Sequence, residues 1–264
     1  MNMSIYNKPV LSGNHKTIKY GLYPQKNVDN NKSLVNSLNN LKTKENNGWY
    51  LYDNAYYAKV AASSTIAKDV TFSNHTSVES SKTYWFKCEP ITWNVLTEKK
   101  GRYYVVSSKI LDTRQYNSSG SSNKYDTSSI RSFLLNTFLK TAFADDSFIL
   151  TTTVNNSAST TDSYNNPNVC DSTQDKVFMP SYLDYNTESY GFSKADSRKC
   201  VATDLAVAKG TTISKDRYGL YWTRSPYSND YSKAWYISGS GGRVYTSVNA
   251  STVGVRPAMY VTIK

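Results

Sequence analysis

Apolar residues repeat with the period of a helix in three segments of the chain. The segments 32–42 and 130–140 each place an apolar stripe on one helical face, and Ser128 or Ser129 is positioned to cap the second. A third short helix is predicted over residues 202–209, with Gly210 as its left-handed C-terminal cap. The stripes of the first two consist of Leu34, Val35, Leu38 and Leu41, then Ile130, Phe133, Leu134, Phe138 and Leu139.

Alternation of apolar and polar residues predicts strands over much of the remaining chain. The clearest hairpin joins residues 84–96 to residues 102–111 through a turn at Gly101. The segments 61–82 and 112–129 lack an apolar period and are predicted to be loops. Shorter strands are predicted within residues 18–25, 49–60, 148–154 and 176–179. This order of elements, without repeats or a linker, predicts a single α+β domain over residues 1–264.

The C-terminal segment 221–264 is predicted to consist entirely of strands and turns: a hairpin with glycines at its tip, and then residues 254–264 as one last strand. Within this hairpin the alternation assigns Trp235 and Ile237 to an inner row and Tyr236 and Ser238 to an outer row. In the next strand the same alternation assigns Val244, Thr246 and Val248 to the inner row and Tyr245, Ser247 and Asn249 to the outer row. An outer row of Tyr, Ser and Asn matches the composition of antibody paratopes. An ordinary solvated sheet face is the alternative. The candidate ligand-binding residues are Tyr227, Ser228, Asn229, Asp230, Tyr231, Tyr236, Ser238, Tyr245, Ser247 and Asn249.

Two arginines flank this segment, Arg224 in an Arg-Ser-Pro context and Arg256 in a Val-Arg-Pro-Ala context. An arginine fork can bind an anionic ligand or tie together several carbonyls. We favour the second role, as semi-buried pins between the terminal strands, because charges held inside a protein usually have partners. Trp222 and Trp235 are predicted to be structural as well, packed in the core beneath the binding face.

The composition of 264 residues is basic, with a net charge of +11 and 23 tyrosines. The lysines and arginines are dispersed rather than gathered in one block, so a nucleic-acid ligand is disfavoured although it stays open. The three cysteines, Cys88, Cys170 and Cys200, form neither a disulfide framework nor a metal motif. Buried thiols are favoured, while a bridge between Cys170 and Cys200 stays open.

Residues suited to catalysis are scarce. The two histidines, His15 and His75, both lie in polar surroundings near the N-terminus, and neither a phosphate-binding loop nor a dinucleotide fingerprint occurs. We therefore expect no catalytic residues, no metal site and no cofactor. No stretch is apolar enough to span a membrane, and no signal peptide is recognisable. A binding role nevertheless favours the cell surface, the secreted fraction or a virion.

Several motifs together resemble a family of uncharacterised bacterial domains with a C-type-lectin-like fold. In chain order they are IKYGLYPQ, FKCEPITWNVL, YVVSSKILD, SSIRSFLLNTF, KVFMPS, ATDLAVAKG, YWTRSP and GVRPAMYV. The last two are the most specific. The family is similar to the variable proteins of diversity-generating retroelements and to formylglycine-generating enzymes.

This resemblance implies twisted antiparallel sheets with two or three helices and a ligand-binding region within residues 221–264. It implies a non-catalytic display protein that binds a protein or glycan, with variable positions at the ten candidate residues. A fixed adhesin or carbohydrate-binding module on the same scaffold is the first alternative. A formylglycine-generating oxidase is disfavoured, because that branch uses cysteines late in the chain and none follows Cys200 here.

Overall fold

The computed structural model describes residues 7–14 and 16–263, so His15 lies outside the described residues. The fold is α+β and consists mainly of sheets with a few short helices. The strands are β1 (Val10–Ser12), β2 (Thr17–Asn27), β3 (Tyr50–Tyr52), β4 (Ala55–Ala61), β5 (Thr83–Lys99), β6 (Arg102–Ser107), β7 (Asp112–Thr113), β8 (Ile149–Leu150), β9 (Thr152–Val154), β10 (Thr173–Asp175), β11 (Val177–Phe178), β12 (Tyr221–Pro226), β13 (Lys233–Ile237), β14 (Arg243–Ser247), β15 (Gly254–Val255) and β16 (Ala258–Thr262). The α-helices are α1 (Lys32–Asn39), α2 (Ser129–Phe133), α3 (Leu139–Ala142), α4 (Ala195–Arg198) and α5 (Asp204–Ala208).

The predicted helices are present, with one irregularity. Ser128 caps α2 by accepting a hydrogen bond from the Arg131 N–H, and a π-helical turn over Leu134–Phe138 joins α2 to α3. Ile130, Leu134 and Phe138 are buried along this combined helix, which preserves the predicted apolar stripe. Helix α5 is followed by Gly210 with a φ of +103°.

The larger sheet is organised around the long strand β5. Strand β2 pairs with one edge of β5, while β4 and β6 pair with successive parts of its other edge. Beyond β6 the sheet continues through β16 to β11. One apolar core extends from Ile18 to Val261 through this sheet, so the N-terminal and C-terminal parts of the chain share it.

The smaller sheet carries the C-terminal hairpin, in the order β14, β13, β12, β15 and β7. Its β12–β15 pair is parallel, whereas the resemblance implied antiparallel sheets. The prediction of one continuous last strand was wrong: Arg256-Pro257 separates β15 in the smaller sheet from β16 in the larger one. A proline lacks the N–H that an uninterrupted ladder requires, and here the chain changes sheet at that point.

The segment 112–129 also differs from the predicted open loop. It begins with β7, and Tyr116 and Tyr125 farther along are almost completely buried. The Tyr116 hydroxyl donates to the Arg224 carbonyl at 2.8 Å, which ties this segment to the smaller sheet. Periodicity could not reveal this, because irregular backbone can bury isolated aromatic rings without repeating.

Candidate functional site

The hairpin of β13 and β14 places its side chains on two faces, in a different arrangement from the predicted rows. Trp235 pairs with Tyr245 and Tyr236 pairs with Val244. Directly paired residues of an antiparallel ladder lie on the same face. Trp235 therefore shares a face with Tyr245, and Tyr236 lies on the opposite face against Trp222, with ring centroids 6.1 Å apart.

The prediction that Trp235 belongs to the core was wrong. Its side chain is only partly buried, whereas Trp222 is completely buried as predicted. The error arose from the register. The hairpin turn spans five residues, 238–242, so odd-numbered residues of β13 pair with odd-numbered residues of β14 and share a face with them. The assumed inner row instead combined Trp235 with Val244, which is 37% exposed.

Four aromatic side chains form a cluster on the Trp235 face, which we call the aromatic patch: Tyr182, Tyr227, Trp235 and Tyr245. Tyr227 and Tyr245 stack with centroids 3.9 Å apart, and both meet the Trp235 ring edge to face. The ring centroids of Tyr182 and Trp235 are 4.7 Å apart. Tyr245 is 44% exposed, so the patch reaches the surface.

Cations border the aromatic patch on two sides. The Arg243 guanidinium lies 4.5 Å from the centre of the Tyr182 ring, and the Lys233 ammonium lies 5.7 Å from that of Tyr245. Lys233 also forms an ion pair with Asp230 at 3.1 Å. Hydrogen bonds from the Ser232 hydroxyl and N–H, together with this ion pair, lower the pKa of the Asp230 carboxyl to about 2. Among the described residues Arg243 has no carboxylate partner, which leaves its charge available to a ligand.

Asparagine side chains hold the loop beside the aromatic patch. The buried Asn123 amide donates to the carbonyls of Tyr227, Asp230 and Lys233 at 2.8–3.2 Å. Asn168 donates to the Tyr227 and Ser228 carbonyls at 2.9 and 3.0 Å. A loop fixed in this way loses little conformational entropy when a ligand binds.

Replacing Asn123 by alanine is expected to loosen this loop and to destabilise the fold by about 1–3 kcal/mol, because three loop carbonyls each lose a hydrogen bond from this buried amide. Hydrogen exchange at the amides of residues 227–233, together with chemical denaturation, would measure both effects. Asn165→Ala serves as the control, since Asn165 is exposed in the neighbouring loop. Unchanged exchange in the Asn123 variant would contradict the proposed role of its amide.

The candidate residues from the sequence are only partly brought together. Tyr227 and Tyr245 belong to the aromatic patch, and Ser247 shares their face through its pairing with Lys233. Ser228, Asn229, Asp230 and Tyr231 occupy the adjoining loop, where Tyr231 is 63% exposed. Tyr236 lies on the opposite face, Ser238 lies in the hairpin turn, and Asn249 follows β14 beside Gly120.

The two arginines are buried and hold neighbouring segments of the chain together. Arg224 bonds to the Met179 carbonyl and the Asp184 carboxylate, both at 3.0 Å, and to the Asn155 carbonyl. Arg256 donates to the Ser107 carbonyl at 2.9 Å and to the Tyr221 hydroxyl at 3.1 Å. These contacts agree with the pin role that we favoured over ligand binding.

A family model matches residues 100–263, more than half of the chain, and is described as a domain of unknown function, DUF6273. The chain belongs to this family. Comparison with curated proteins and with solved structures finds no match. The DUF6273 segment contains the whole aromatic patch, and it begins in the turn between β5 and β6.

Sequence reasoning missed Tyr182 and Arg243 as members of the site. Tyr182 lies outside the C-terminal segment, and its amide bonds to the Ser225 hydroxyl at 2.9 Å, which places it beside β12. No local pattern marks such a long-range contact. Arg243 could have been found from the hairpin register, which pairs it with Ile237 on the Trp235 face.

The three cysteines do not form a disulfide with one another. Cys88, Cys170 and Cys200 are free thiols, and burial raises the pKa of each. Over residues 7–14 and 16–263 no helix has the length and apolarity needed to cross a membrane.

Proposed function

We propose that this protein is a non-catalytic binding protein and that the aromatic patch is its contact surface for a protein ligand. The observation that carries the proposal is the partly exposed cluster of Tyr182, Tyr227, Trp235 and Tyr245 beside Arg243. Tyr, Trp and Arg dominate the energetics of protein–protein interfaces. The rings here are already packed on one another, so little side-chain entropy is lost when a partner covers them.

A protein ligand suits this geometry better than a sugar ring. The stacked faces of Tyr227 and Tyr245 are occupied by each other, and the Lys233 ammonium lies over Tyr245. The patch therefore presents ring edges, hydroxyls and cations rather than one free aromatic face. Leu183, which is 44% exposed next to Tyr182, adds apolar area at the border.

The scaffold that we propose is C-type-lectin-like, on the strength of the motif resemblance and the α+β architecture. Display at a cell surface, in the secreted fraction or on a virion would suit this role. Diversification by a retroelement is a further part of the proposal. DNA sequencing around the gene tests it: a reverse transcriptase gene and a near-copy of the 3′ coding segment that differs at adenines are expected.

The binding surface itself is tested with paired variants of one strand. Wild type, Tyr245→Ala and Val244→Ala would be screened on protein and glycan arrays, since these neighbours lie on opposite faces of β14. We expect protein ligands that wild type and Val244→Ala share and that Tyr245→Ala binds at least about tenfold more weakly, a loss of roughly 1.4 kcal/mol.

Circular dichroism and melting curves of the variants provide the folding control for this screen. Equal loss of binding in Val244→Ala would place the contact surface elsewhere. Glycan ligands that depend on Tyr245, without any protein ligand, would replace the proposal by the carbohydrate-binding alternative.

A further inference from the structure

A groove of about 890 Å³ lies along the larger sheet, and none of its lining residues belongs to the aromatic patch. The register determines which side chains face it. Lys99 pairs with Arg102, and Tyr260 pairs with Tyr104, two residues after Arg102 on β6. Paired residues and second neighbours along a strand share a face. Lys99, Arg102 and Tyr260 therefore line the same side of the sheet.

One end of this groove is positively charged. Lys99, Lys100 and Arg102 line it, all three are exposed, and no aspartate or glutamate is among the lining residues. In the described part of the chain none of the three forms an ion pair. Cations that lack carboxylate partners inside a concave surface attract anions.

Lys100 lies in the turn between β5 and β6 and has an unusual backbone conformation for a lysine. Lys100 and Gly101 both have positive φ, +54° and +73°, as in a two-residue turn that favours asparagine or glycine at the first position. A lysine in the left-handed region costs some backbone energy. Its presence adds a third cation at the mouth of the groove.

Tyrosine and threonine side chains form the remaining walls. Tyr260 stacks on Tyr104 with centroids 4.7 Å apart, and Tyr190 meets Tyr104 edge to face at 5.5 Å. Within the described residues the hydroxyls of Tyr190 and Tyr260 make no hydrogen bond. Thr151 and Thr152 also line the groove. The groove thus offers hydroxyls and ring edges beside its cationic end.

We propose that this groove binds an acidic oligosaccharide, a short chain of sugar rings that carries carboxylate or sulfate groups. The cations would bind the acidic groups, while the tyrosine rings and hydroxyls would contact the sugar rings. A nucleic-acid strand fits less well, because it needs cations along its whole track and here they occupy one turn. The volume lies within the range of small-ligand sites.

Calorimetry of the full chain tests this with four probes: a sulfated oligosaccharide, an oligogalacturonate, a neutral cello-oligosaccharide and a short single-stranded DNA. We expect at least one acidic oligosaccharide to bind, in a salt-dependent manner, and the neutral one not to bind. The two acidic probes distinguish sulfate from carboxylate as the recognised group. The combined variant Lys99→Gln, Lys100→Gln and Arg102→Gln should bind about tenfold or more weakly.

A matched variant separates the groove from the overall charge. Lys42→Gln, Lys68→Gln and Lys215→Gln removes the same charge at exposed positions outside the groove, and it should retain wild-type affinity. Tyr260→Phe should weaken binding several-fold without unfolding the protein. Equal loss in the matched variant, tighter binding of DNA, or no binding of either acidic oligosaccharide would overturn the proposal. None of these outcomes bears on the aromatic patch.

Discussion

Replacing Asp112 by alanine is expected to lower the free energy of unfolding by about 3–5 kcal/mol, because it removes a buried carboxylate and leaves the largely buried ammonium of Lys209 without its partner. Asp112 is 1% exposed and forms an ion pair with Lys209. It also accepts a hydrogen bond of 2.6 Å from the Tyr23 hydroxyl. These contacts join β2 and β7 to the segment after α5, so the loss affects distant parts of the chain at once.

The same carboxylate should make the free energy of unfolding depend on pH in the acidic range. Burial alone would raise the pKa of Asp112, but Lys209 and Arg114 lower it below its ordinary value. A carboxyl whose pKa is lower in the folded state stabilises the fold above its unfolded pKa, and this contribution disappears as pH falls through the folded pKa. Wild type should therefore lose stability below about pH 4, and the variant should depend less on pH in that range.

Urea denaturation over a series of pH values measures both effects. Asp216→Ala is the matched control, because Asp216 is exposed and belongs to no ion pair of the described residues. A loss in Asp112→Ala no larger than in this control would contradict the role of the buried network.

Replacing Trp222 by alanine should cost about 3–5 kcal/mol, the effect expected for a large aromatic residue in a packed core. Trp222 is completely buried, its indole N–H donates to the Arg114 carbonyl at 2.8 Å, and its ring contacts Tyr116. Alanine removes these contacts and leaves a cavity beneath the smaller sheet.

Trp235→Ala provides the comparison, since the same substitution in the same sheet removes a partly buried ring of the aromatic patch. It should destabilise the protein much less than Trp222→Ala and weaken ligand binding more. Thermal and urea unfolding of the two variants, with binding measured in parallel, would decide this. If the Trp235 variant were as unstable as the Trp222 variant, Trp235 would have to be a core residue.

The parts of the fold with strong local patterns were predictable. The stripe of α1, the Ser128 cap and the hairpin of β5 and β6 each follow from residues close together in sequence. The break at Arg256-Pro257 and the burial of Tyr116 were not predictable, because both depend on contacts with strands that are distant in sequence. Local patterns indicate an element but not its partner.

The residues of the candidate site were likewise predictable only where a local pattern marked them. Tyr227, Tyr231 and Tyr245 were identified from composition and are at least partly exposed. Trp235 was assigned to the wrong face because the turn length, which determines the register, was not used. Tyr182 enters the site through a contact across more than fifty residues, which a single sequence does not reveal.

The boundary of the DUF6273 match has a practical consequence for work on this family. A fragment that starts at residue 100 would keep β6 and lose β5, so the edge of β6 that pairs with β5 would be bare. Val105 and Val106 of β6, whose side chains are fully buried in the whole chain, lie along that edge. Such edges recruit strands from other molecules. Expression of that fragment alone should yield aggregates or strand-swapped assemblies, and any relative with the same architecture must obtain an equivalent strand from its own upstream residues or from a neighbour.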